Sequence, residues 1–133
     1  MSMRICVGMR GLSLFFAALA DENRLRLLYL MKEGEICVCY LQGVLQTNQP
    51  KISRHLAYLK RAGLVEARRD GKWMHYRLKK QESNQEKVLS ETLRHLEMEP
   101  AIQKDARRLK QIQCCPLRYG ISSVEPKREA CKI

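Results

Sequence analysis

Cys37 and Cys39 stand one residue apart in the run Glu35-Ile36-Cys37-Val38-Cys39. Thiolates are soft donors, so two at this spacing can share one soft ion or be oxidised together. Four further cysteines, at 6, 114, 115 and 131, bring the count to six in 133 residues. In a short exported chain such a count reads as a disulfide framework; in a reducing compartment it reads as ligands or redox groups. The N-terminus is where the two part. Basic residues precede an apolar run from Leu12 to Ala20, and Ala18-Leu19-Ala20 imitates a signal-peptide cleavage site. The run is short, however, and Asp21 and Glu22 open another helix whose packing partner cleavage would remove. No stretch approaches the roughly 18 apolar residues of a membrane span. The expectation is a cytoplasmic chain with reduced thiols and no membrane partner.

A second group of residues follows the thiols. Gln49, Lys51, Ser53, Arg54 and His55 cluster at the start of a segment in which Ile52, Leu56 and Leu59 recur at helical spacing and point inward. Their own side chains therefore fall on other faces. Arg54 could pair bidentately with guanine and Gln49 with adenine, while Lys51 and Ser53 suit phosphates. The whole chain agrees in sign: 25 Lys and Arg against 14 Asp and Glu give a net charge of +11. Such a field favours nucleic acid or another acidic partner.

The elements that must hold these groups can be read from spacing. Leu12, Leu14, Phe15, Ala18 and Leu19 give a first helix that Ser13 could cap, and Asp21 caps a second running to about Glu33, stopped by Gly34. Ile36 to Leu45 reads as a third helix. The polar break Gln46-Thr47-Asn48 precedes a fourth, capped by Thr47 or Asn48, with Pro50 tolerated in its first turn. After Gly63 the period changes to that of a hairpin from Val65 to Leu78. An Asp70-Gly71 turn would pair Arg69 with Lys72, Ala67 with Met74 and Val65 with Tyr76. Its tip carries Arg68, Arg69 and Lys72, so the hairpin reads as a basic wing. Val88 to Ile112 forms a further helical stretch, broken or kinked at Pro100. The fold expected is mainly α with a small β-hairpin, a winged helix-turn-helix. Residues 1–113 would form one domain for DNA binding and dimerisation, and 114–133 a Cys-containing C-terminal tail.

QPKISRHLAYLKRAGLV followed by DGKWMHYRL closely resembles the ArsR/SmtB family of arsenic- and metal-responsive repressors, over about Leu19 to Leu78. The resemblance implies a winged-helix homodimer, with terminal helices at the interface, that represses its own resistance operon until an inducer binds. The apolar faces of residues 12–19 and 88–112 exceed what so small a core absorbs, which independently favours self-association. A two-fold dimer requires double-stranded, palindromic operator DNA.

On the third helix both thiols would sit near an N-terminus, where thiolates are favoured. Residues i and i+2 on a regular helix project about 200° apart, so sharing one ion would require that turn to unwind and shift the neighbouring reading helix. In arsenic-sensing members of the family a similar segment has an acidic residue after the second cysteine, and often a third cysteine three residues after the second. Here Tyr40 and Gln42 occupy those positions. The inducer expected is trivalent arsenic or antimony, with cadmium or lead as the alternative, and no cofactor is required. A third donor could be Cys114 or Cys115; adjacent C-terminal cysteines serve arsenic sensing in some relatives, so these two could instead form a separate site with Cys131. The donor could also be Cys6 from the partner subunit or an exogenous molecule. The metal-ligand set expected is thus Cys37, Cys39, Cys114 and Cys115, with Cys131 unassigned. The last helix offers His95 alone, without the paired carboxylate and histidine sets of zinc sensors. No metalloprotease, nucleophile-elbow or phosphate-loop motif appears, so no enzyme is expected. A thiol redox sensor on the same fold, and a secreted disulfide-stapled basic protein, are the competing readings.

Overall fold

The computed structural model describes residues 8–114. The order is α1 (Gly8–Leu19), α2 (Glu22–Leu30), β1 (Ile36–Cys37), α3 (Val38–Leu45), α4 (Gln49–Arg61), β2 (Val65–Asp70), β3 (Trp73–Leu78), α5 (Ser83–Leu96) and α6 (Pro100–Cys114). The strands form one antiparallel sheet in the order β1-β3-β2. Among the described residues no helix is long and apolar enough to cross a membrane.

Local signals explain most boundaries. Asp21 caps α2 by accepting from the Arg24 N–H at 3.0 Å. Asn48 caps α4 by accepting from the Lys51 N–H at 3.0 Å, and Pro50 lies in that helix's first turn. Gly63, with φ of +80°, closes α4. The Leu64 N–H there returns to the Leu59 carbonyl at 3.0 Å, a Schellman ending. Between α3 and α4 the chain turns through Gln46, which holds a left-handed conformation (φ 53°) without being glycine.

Four expectations are revised. α1 begins at Gly8, so Ser13 lies inside it and caps nothing. α2 ends at Leu30, and residues 31–34 form a turn rather than its last helical turn. The Ile36–Leu45 helix is two elements: Ile36 and Cys37 are extended and pair with Tyr76 and His75 of β3. Sheet pairing overrides the helical pattern there. The hairpin is shifted too, with Asp70 opposite Trp73, Ala67 opposite Tyr76 and Val65 opposite Leu78. Its loop is Gly71-Lys72, with positive φ at Gly71 alone, a type II′ pattern that uses the glycine first. At Pro100 the expected break is complete, with α5 and α6 separate helices joined by residues 97–99.

The core joins every helix to the sheet: Phe15, Leu27, Leu28, Leu41, Ile52, Leu56, Leu59, Leu89 and Ile112 from the helices and Val65 from β2 are all buried. Each such side chain contributes about 1.5–3 kcal/mol on burial. α6 packs along α3 and α2, and α3 also meets α4. The bidentate pair of Arg26 and the buried Asp105, at 2.7 and 2.9 Å, fastens α2 to α6. Arg108 Nε donates to the Gly43 carbonyl at 3.1 Å and fastens α6 to α3. The α3–α4 pair is thus braced by α6, which packs on α3.

Candidate thiol and nucleic-acid sites

Because Cys37 is extended and acts as the N-cap of α3, while Cys39 lies in the first turn, their side chains converge. The Cys39 Sγ–H donates to the Cys37 sulfur at 2.9 Å. No turn has to unwind for the two sulfurs to meet, which removes the mechanism expected from a regular helix. The pair also divides its protons unequally. The hydrogen bond from Cys39, helped by a backbone N–H and by the nearby His75, outweighs burial and brings the Cys37 thiol down to about 6. Cys39 is pushed up, because its proton is held in that bond and because burial and the neighbouring thiolate oppose a second charge. One thiolate, rather than two, is therefore present near neutral pH. Burial and the two thiols push Tyr40 up to about 12, so this replacement for an acidic residue carries no charge beside them.

Two soft donors at contact fit a soft trivalent ion better than a hard one. Among the described residues no third Cys, His, Asp or Glu stands with them as a metal-holding group. Cys114 is buried at the end of α6 and is disulfide-bonded. Cys6, Cys115 and Cys131 lie outside the described residues, as does all but the first residue of the stretch 114–133 expected as a tail.

The residues expected from the sequence to face nucleic acid separate into three groups. Gln49, Lys51, Ser53 and Arg54 are exposed on α4, with the Gln49 amide donating to the Ser53 hydroxyl at 3.4 Å. His55 does not join them. Its Nδ1 lies 3.8 Å from the Asp21 carboxylate, and its side chain is mostly covered. On the wing, Arg69 is exposed and reaches the Gly71 carbonyl at 3.5 Å, and the Lys72 ammonium lies 5.6 Å from the Trp73 ring centre. Arg68 is held in a bidentate pair with Glu35, at 2.7 and 3.0 Å, which ties the wing to the segment that leads into Cys37.

Sequence reasoning gave Glu35 no role and took His75 as a surface residue rather than a ligand, with no link to the thiols. Cys37, His75 and Arg68 form one cross-strand row in the observed register, so they share a sheet face. A two-residue strand has no readable period, and only the register reveals that row. Arg24 and Tyr58 were missed likewise: the guanidinium lies 4.0 Å from the ring centre, a contact between segments far apart in sequence.

A capped helix pair whose second helix is polar outward, followed by a basic hairpin, defines the winged helix-turn-helix class of DNA-binding domains. The family model described as "Bacterial regulatory protein, arsR family" matches residues 21–67. The arsenical resistance operon repressor of Bacillus subtilis (strain 168) is 40% identical over 79 residues, 59% of this chain and 73% of that protein. The chain belongs to the arsR family, whose members are regulatory proteins rather than enzymes. The arsenical resistance operon repressor of Escherichia coli (strain K12) is 56% identical over 64 residues, 47% of this chain and 55% of that protein. The chain thus spans little more than half the length of that relative. The homodimeric winged helix-turn-helix DNA-binding domain (fragment 1–100) of Mb0332 from Mycobacterium bovis superposes with a TM-score of 0.55 at 28% identity. It covers 67% of this chain and 82% of that one.

Proposed function

We propose that this chain is a transcriptional repressor that binds palindromic operator DNA as a homodimer and is released when trivalent arsenic or antimony binds Cys37 and Cys39. The observation that carries this reading is the 2.9 Å contact between the two sulfurs at the N-cap of α3, the helix packed against α4. Relatives named as arsenical resistance operon repressors support the effector and the target. Self-association is supported by α1, where Met9, Leu12 and Phe16 recur on one face and are 82%, 40% and 48% exposed. The Mycobacterium bovis domain is a homodimer. The compartment is cytoplasmic, where the pair stays reduced.

The bistable element is the β1–α3 junction rather than a helical turn. When arsenous acid bridges Cys37 and Cys39, two As–S bonds replace two As–O bonds. One hydroxyl leaves as water with the Cys39 proton and the other as water with a proton from solvent. The S–H···S bond is lost, and the sulfurs must separate to hold the larger atom. Cys37 is paired to His75 in β3, so any shift of β1 passes to the wing, and through Glu35 to Arg68. Shift of α3 passes directly to α4. Ion and DNA then exclude each other through one segment. Cys114, on the helix that packs along α3, and Cys115 after it are the candidate third donors; Cys114 gains that role only once reduced.

Gln49, Lys51, Ser53 and Arg54 form the reading face, and Arg69 and Lys72 extend it along the wing. His55 and Arg68 support this surface from the contacts already described. The test is a mobility shift with reduced protein and promoter DNA: arsenite is expected to release it, and Cys37→Ser and Cys39→Ser are expected to bind DNA without responding. The sulfur contact also suits disulfide formation. Release by peroxide with no response to arsenite would favour a redox sensor, and a response confined to cadmium or lead would reassign the ion.

A further inference from the structure

The reading helix makes two contacts with the α1–α2 corner at the edge of the core, outside its exposed polar face. His55 and Tyr58 lie three apart on α4 and meet Asp21 and Arg24, which lie three apart at the start of α2. Equal spacing on both helices makes this a two-point fixture, one that fixes rotation of α4 about its axis as well as its distance. Arg24 is the joint. Its guanidinium lies 4.0 Å from the Tyr58 ring centre, while its Nε and Nη2 donate to the carbonyls of Ala18 and Ala17 at 2.9 and 3.1 Å. Those carbonyls end α1, so one side chain holds the end of α1, the first turn of α2 and the face of α4. Arg61 lies 5.1 Å from the same ring centre. The Asp21 carboxylate facing His55 also accepts from the Arg24 N–H at 3.0 Å, which joins the two points of the fixture.

We infer that Arg24 and Tyr58, supported by Asp21 and His55, are positioning residues that set the orientation of the reading helix relative to α1, and thereby the operator half-site spacing the dimer accepts. The inference rests on the proposed repressor function with α1 at the subunit interface. In a two-fold dimer the separation and tilt of the two reading helices are fixed by what ties each to the interface, and half-site spacing follows from that geometry. Ile52, Leu56 and Leu59 seat one face of α4 in the core, and the Asp21–His55 and Arg24–Tyr58 contacts add a hold on its flank. A planar guanidinium suits the joint, since its fork can satisfy two carbonyls while its face lies on an aromatic ring. Lysine can supply charge at this position but not the fork.

The test uses full-length reduced protein and duplexes that carry the same half-sites with the spacer changed by one or two base pairs. The wild-type chain is expected to prefer one spacing by at least about tenfold, a difference of roughly 1.4 kcal/mol. Arg24→Gln, Arg24→Lys and Tyr58→Leu should flatten that preference to within about threefold, with affinity for a single half-site kept; Tyr58→Phe, which keeps the aromatic face, should retain it. Uniform weakening at every spacing, or an unchanged preference in both Arg24→Gln and Tyr58→Leu, would overturn the inference. Thermal melting of each variant separates lost positioning from lost folding. Failure of the wild-type chain to bind any duplex would count against the repressor reading and this inference together, whereas wild-type binding with no spacing preference would sink this inference alone.

Discussion

At the scale of single residues, Cys37 and Cys39 hold different protonation states because each sets the other's. Cys37 accepts and is drawn down to about 6; Cys39 donates and is pushed up. Alkylation of Cys37 should therefore rise with pH through an inflection near 6, since the reactive thiolate exists above that value and is lost below it. Cys39→Ala removes the donor and should move the inflection upward, as followed by mass spectrometry of alkylated peptides. An inflection unmoved by that substitution would mean that His75 and the backbone, rather than Cys39, stabilise the thiolate. The presence of the pair was legible in the sequence, but its convergence was not. Ile36 and Cys37 continue the apolar pattern of α3, and only pairing with His75 and Tyr76 makes them extended. Likewise His55 looked like a reading residue because its place on α4 is two residues from Ser53; its partner Asp21 comes from another helix.

At the scale of elements, caps and periods were readable because their causes are local. Asp21, Asn48, Pro50, Gly63 and the Ile52-Leu56-Leu59 stripe each act within a few residues of themselves. The hairpin register shifted because Asp70-Gly71 and Gly71-Lys72 both offer a glycine to a tight turn, and cross-strand pairing decided between them. Ties between distant elements were not readable, and Asp105 is the clearest of these. It looks like one more charged residue of α6, yet it is 4% exposed and paired to Arg26. Arg26→Leu leaves that carboxylate buried without its partner, and should cost about 3 kcal/mol or more in urea unfolding. A loss within a few tenths of a kcal/mol would show that the pair is dispensable to the α2–α6 junction. Leu56→Ala, in the buried stripe of α4, should cost about 2–5 kcal/mol by the same measurement.

At the scale of the whole molecule, charge and the α1 face decide behaviour. A net charge of +11 per chain, doubled in a dimer, makes DNA binding strongly salt-dependent. Affinity for the operator should fall on the order of a thousandfold between about 50 and 200 mM salt if six or so phosphates are contacted per dimer. Phe16→Glu puts a charge on the exposed apolar stripe of α1; sedimentation should show the mass halve and operator affinity drop with it, while an unchanged mass would assign the interface elsewhere. The central claim is that the Cys37–Cys39 junction and the DNA-reading helix compete for one conformation. Its most direct measurement is the fraction of operator released as arsenite is titrated into the reduced protein–DNA complex, run in parallel for the wild type and for Cys37→Ser. The account predicts complete release from the wild type and none from the variant at equal DNA affinity; release from Cys37→Ser at the wild-type arsenite concentration would contradict it.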